Sequence, residues 1–114
     1  MDLALLLADR GNMQEANPHL DELLRLATGD AMAQSYLCFT LRRFGRLDEA
    51  VAHCSESLRL YPDLLYSRFN LGAALAAQGK KGEAIAELSR VLAANPGYPD
   101  ARSLLDQLQG KTGR

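Results

Sequence analysis

The chain has 114 residues, 47% of them hydrophobic and 24% charged, with a formal net charge of −1. That length suits one domain with a continuous core rather than two, and the near balance of charge excludes a nucleic-acid binder that works by neutralising phosphates. The longest apolar stretch, residues 3–8, is far below the roughly 18–20 needed to cross a bilayer, so no membrane insertion is expected.

Apolar residues recur at spacings of three and four, the helical period, and no run alternates as a strand would. The first helix is expected over residues 1–10. Leu3, Ala4, Leu5, Leu6, Leu7 and Ala8 make it apolar all the way round, the pattern of a helix that something covers. Asp2 before it, and Asp9-Arg10 after it with no small-residue cleavage site, argue against a secretory signal. A second helix spans 15–28, started late by Asn17 as N-cap and Pro18 at the first helical position. The third, 31–44, stops at Gly45; the fourth, 48–60, at Pro62; the fifth, 65–78, at Gly79; the sixth, 82–94, at Pro96. The seventh, 99–109, carries one apolar stripe of Ala101, Leu104, Leu105 and Leu108 and is polar elsewhere. Residues 110–114 read as a disordered tail.

These helices repeat. Leu3, Gly11, Glu15, Ala16 and Leu24 recur 34 residues later as Leu37, Gly45, Glu49, Ala50 and Leu58, and again as Leu71, Gly79, Glu83, Ala84 and Leu92. Leu7, Leu41 and Leu75 add another column, and Pro62 and Pro96 one more in two copies. Three copies of one period mean a stack of like units rather than a globule with a unique core. The expected architecture is all-α: an α-solenoid of three helix-turn-helix repeats at about 1–30, 31–64 and 65–98, the first truncated at its amino end, with a capping helix over 99–109. Charge drifts along the stack, from net −4 over 1–30, through 0 and +2, to +1 over 99–114.

The pattern resembles the tetratricopeptide repeat, a 34-residue unit reading W-x2-L-G-x2-Y, then A-x3-F, then P. Leu71-Gly72-x2-Leu75, Ala84-x3-Leu88 and Pro96 carry the resemblance in the third unit; Leu37-Cys38-x2-Leu41, Ala50-x3-Cys54 and Pro62 carry it in the second. Leu3-Ala4-x2-Leu7 and Ala16-x3-Leu20 do so in the first, where Thr28 replaces the proline. Gln34 and Arg68 stand where the family often has an aromatic, a departure expected to loosen contacts between units. Cys38 and Gly72 fall where paired helices approach closely, opposite Ala50 and Ala84, and a large side chain there would overpack the crossing. Cys38 therefore reads as a small hydrophobe; a Cys38–Cys54 redox pair is the sharper and less favoured reading. Two cysteines are too few for a disulfide framework, so the expected setting is the cytoplasm with reduced thiols, or export through an upstream segment.

The resemblance implies that the first helix of each unit lines a concave surface. Side chains expected to form a peptide-binding groove are Ser35, Tyr36, Phe39, Arg42, Arg43, Tyr66, Phe69 and Asn70, a mixture of rigid aromatics, Arg and Asn typical of protein interfaces. The expected function is a non-catalytic scaffold binding a peptide or helix of a partner protein. The alternative is a self-assembly module of a longer protein, a homo-oligomer formed through Leu3, Leu5 and Leu6. Some members of this family hold an acidic chaperone tail with Lys, Asn, Asn, Lys and Arg. The corresponding places here are Met1, Leu5, Tyr36, Tyr66 and Asn70, or one unit on, Ser35, Phe39, Asn70, Asp100 and Leu104. Neither set holds such a clamp.

Chemistry finds no foothold. His19 and His53 share a column with Glu87, but neighbouring helices about 8–10 Å apart keep such a column from converging on a metal. It reads as an inter-repeat packing position. No Ser or Cys has a histidine placed by a recognisable motif. Gly110-Lys111-Thr112 lacks the glycine five residues earlier that a phosphate loop requires, since Leu105 stands there. No catalytic residue, metal or cofactor is expected.

Overall fold

The structure is a computed structural model and describes residues 29–110. Among these residues it holds five helices and no strand: α1 Ala31–Arg43, α2 Leu47–Leu60, α3 Leu65–Ala77, α4 Lys81–Ala94 and α5 Ala101–Leu108. The helices expected over 1–10 and 15–28, with Leu3, Leu5, Leu6 and His19, lie outside the described residues, as does the tail beyond Gly110.

Each hairpin turns on a glycine that the period repeats. Gly45 and Gly79 adopt φ of 81° and 84°, a left-handed conformation that costs other residues about 1–2 kcal/mol. Behind each, the chain closes the same pair of bonds. Gly45 N donates to Arg42 O and Arg46 N to Leu41 O; Gly79 N donates to Ala76 O and Lys80 N to Leu75 O. This satisfies carbonyls at the ends of α1 and α3 and sends the next helix back antiparallel. The second helices stop before their prolines, where Tyr61 and Asn95 turn extended and each makes a last 2.8 Å bond, to Ser57 O and Val91 O. At the opening of α1, Asp30 accepts from Met32 N and Ala33 N at 3.0 and 3.1 Å.

Helix pairing follows the small-residue columns. A Cβ built on Gly72 would lie 3.0 Å from Leu88 Cγ and 3.6 Å from Ala84 O, so α3 and α4 touch where the sequence places its smallest residue. In the preceding unit the same two columns hold Cys38 and Cys54. There the structure joins them in a disulfide across a Cα separation of 5.3 Å, both residues fully buried. The expectation of a small hydrophobe with a reduced thiol is therefore corrected. The close approach that excludes a bulky side chain also brings two Cβ atoms within bridging range.

Polar pairs occupy a second repeated position. Gln34 Oε1 meets His53 Nδ1 at 2.5 Å, and one period later Arg68 Nη1 donates to Glu87 Oε1 at 2.7 Å. Both partners of each pair belong to one helical hairpin. The His53–Glu87 column thus fastens the two helices of a unit rather than packing between units, and Gln34 and Arg68 replace aromatic packing by tethers. Units meet through α2 and α3, where Ser57 Oγ shares a buried 2.6 Å hydrogen bond with Ser67 Oγ; within its own unit the same hydroxyl donates to Ala31 O of α1 at 2.7 Å. One period on, the same columns hold Val91 and Ala101, both fully buried.

The core follows the stack as two successive clusters, with half-buried Leu108 packed against both. Leu37, Leu41, Cys54, Leu71, Leu75 and Ala84 form one buried cluster; Leu88, Val91, Leu92, Ala101 and Leu105 form the next. Backbone contact joins α1 to α3 and α3 to α5, whereas α2 and α4 do not approach one another. First helices crowding together while second helices splay apart bend the stack toward the α1–α3–α5 side. That side is concave.

Candidate peptide-binding groove

The concave side carries a cleft of about 480 Å³. Its walls come from three elements in succession: Phe39 and Arg42 of α1; Tyr66, Phe69 and Asn70 of α3; and Tyr98, Pro99 and Asp100 of the α4–α5 turn. Helical spacing explains the grouping. Phe39 and Arg42 lie three residues apart, as do Tyr66 and Phe69, so each pair points from one face of its helix. Phe69 and Tyr98 pack with ring centroids 5.5 Å apart and planes tilted by 35°, joining α3 to the turn. The guanidinium groups of Arg42 and Arg43 lie 5.6 and 5.9 Å from the Phe39 ring centre, within cation–π range.

Five of the eight expected groove residues, Phe39, Arg42, Tyr66, Phe69 and Asn70, share this cleft. Ser35 does not, because it is fully buried among the helices. Tyr36 is half-buried and packs at 6.4 Å against Phe39, and Arg43 is exposed beside that ring without lining the cleft. Sequence reasoning missed Tyr98, Pro99 and Asp100. Pro99 looked like the first residue of a helix, but α5 begins at Ala101 because Asp100 takes φ 66° and holds the chain in a turn. A signal was present, since Asp100 falls 34 residues after Tyr66 and so in the same column.

Electrostatically the cleft is uneven. Burial first, then the neighbouring Arg43, pushes the Arg42 guanidinium below its ordinary pKa, partly offset by Tyr66. Burial, helped by Tyr66, pushes the Tyr98 phenol up, so Tyr98 remains a neutral donor at physiological pH. Asp100 stands exposed at the rim. Among the described residues no group of three metal-ligating side chains converges, and no helix is long and apolar enough to cross a membrane.

Two profiles of the tetratricopeptide repeat match the chain, one over residues 41–108 and one over residues 1–64. The chain belongs to the tetratricopeptide repeat family. Solved structures of the same fold include the second such domain of human RPAP3, in complex with the HSP70 peptide SGPTIEEVD. It has a TM-score of 0.78 and 19% identity over 95% of this chain and 90% of that one. The MamA RS-1 ArsTM double mutant gives a TM-score of 0.76 and 24% identity over 96% of this chain and 62% of that one. At these identities the likeness is one of fold. No curated protein sequence matches the chain.

Proposed function

We propose that this tetratricopeptide repeat domain is a non-catalytic interaction scaffold that holds a segment of a partner protein in the α1–α3–α5 groove. The observation that carries the reading is the convergence of Phe39, Tyr66, Phe69 and Tyr98 on one open concave cleft. Rigid aromatic side chains cost little conformational entropy when they bind and dominate the energetics of interfaces. The related RPAP3 domain with its bound peptide supports the same use of the fold. Its ligand is not carried over, because the places for an acidic-tail clamp hold Tyr36, Tyr66 and Phe39. So short a groove buries area at the low end for protein interfaces, with affinity on the order of micromolar.

The test uses peptides selected on the protein from a random library. Tyr66→Ala should weaken a selected peptide by about 2 kcal/mol, while Arg90→Ala on the exposed face of α4 should leave it unchanged. Equal effects of the two substitutions would remove the groove from the account.

A further inference from the structure

Two hydrogen-bond donors in the cleft have no acceptor. Asn70 is only 1% exposed and its Nδ2 is unpartnered. Arg42, on the neighbouring helix, buries its Nε with no partner either. Native proteins rarely leave such groups unpaired, because each has given up water and received nothing in return. A half-turn of the Asn70 amide exchanges its two terminal atoms at little cost, so the donor can be presented to whatever fills the cleft. Burial has also stripped Arg42 of part of its hydration, and an anion beside it would restore the lost stabilisation. A carboxylate is acceptor-only and has two oxygens, so one group can receive both donors.

We propose that the cleft selects an extended partner segment in which an Asp or Glu side chain, flanked by bulky apolar residues, is received between Arg42 and Asn70. This rests on the groove reading above and names what the groove recognises. An internal carboxylate fits better than a chain end because the donors share the cleft with rings from two separate walls, Phe39 on α1 and the Phe69–Tyr98 pair that joins α3 to the turn. A segment crossing the whole cleft touches both, whereas a terminus stopping at the donors forfeits one side. Asp100, the carboxylate among the lining residues, sits exposed and hydrated at the turn. It disfavours a second acid at that end without opposing the one held by half-buried Arg42.

Random dodecapeptides displayed with their carboxyl ends fused to a phage coat protein would be panned on the whole chain. Enriched sequences should share an Asp or Glu beside Leu, Ile, Phe or Tyr. A synthetic, amidated copy of one should bind about tenfold more weakly once its acid is changed to the amide, and Arg42→Gln should erase that preference. Arg42 is half-exposed, so its variant keeps the fold where buried Asn70→Ala could lose it; a thermal melt of each variant separates misfolding from lost recognition. Equal binding of acid and amide forms would overturn the carboxylate assignment and leave the groove standing. Enrichment only from a library with free carboxyl ends would overturn the internal position. No enrichment, or enrichment that Tyr66→Ala leaves intact, would overturn the groove itself.

Discussion

Reducing the Cys38–Cys54 bond should destabilise the domain by about 3 kcal/mol. The bond closes a loop across 16 positions, and cutting a loop of that size frees roughly that much chain entropy in the unfolded state. The native state suffers as well. Both cysteines are fully buried with Cα atoms 5.3 Å apart, and two thiols need more room than one bonded pair, so the α1–α2 crossing must yield. Against a typical total of about 5–15 kcal/mol this is a large share, equivalent to roughly 10 °C or more in Tm. The assay is a helix melt by circular dichroism with and without a phosphine reductant, with mass spectrometry confirming reduction. Cys38→Gly with Cys54→Leu imports the residues that the next unit uses at the same columns, Gly72 and Leu88. It should recover packing but not loop constraint, and so fall between the oxidised and reduced forms. Two free thiols titrated in the unfolded, unreduced protein, or a Tm indifferent to complete reduction, would refute the reasoning.

Gly72→Leu should cost about 1–3 kcal/mol, because even its Cβ would lie 3.0 Å from Leu88 Cγ and the rest of the side chain would overfill the crossing; combining it with Leu88→Ala should cost less than the two changes added, as read in urea titrations. Stability should fall on mild acidification through His53. Burial holds its pKa below the ordinary 6.5, against the raising influence of Glu49 and Glu56. The neutral form is therefore favoured in the fold, stability is full above pH 6.5, and it declines as pH drops from there toward the lowered native value. His53→Gln should flatten that part of the profile. Ser67→Ala leaves Ser57 Oγ its bond to Ala31 O and should cost about 1 kcal/mol, less than the joint loss in Ser57→Ala, by the same titrations.

Much of the fold was legible because its punctuation is stereochemical. Gly45 and Gly79 are needed for a left-handed turn, Pro62 and Pro96 forbid continued helix, and the Leu37 and Leu71 columns follow the helical period. What escaped depended on where side chains point. That Cys38 and Cys54 share a crossing was readable, but whether their Cβ atoms come within bonding range depends on the helix separation. The bond also removes the ground for placing the chain in the cytoplasm, since disulfides persist in oxidising settings. In the groove, Ser35 and Phe39 lie one turn apart, yet the curvature of the stack buries the first and opens the second. The Tyr98–Asp100 wall was hidden because a proline ahead of a helical stripe reads as a helix start, whereas the positive φ of Asp100 delays that start to Ala101.

Amide and aromatic chemical shifts recorded while a selected peptide is titrated into the isotope-labelled chain test the central claim most directly. The account predicts that the changes concentrate at Phe39, Arg42, Tyr66, Phe69, Asn70 and Tyr98, with the exposed faces of α2 and α4 silent. Changes centred on Ser55, Arg59, Ala86 or Arg90, with the concave rings undisturbed, would contradict it.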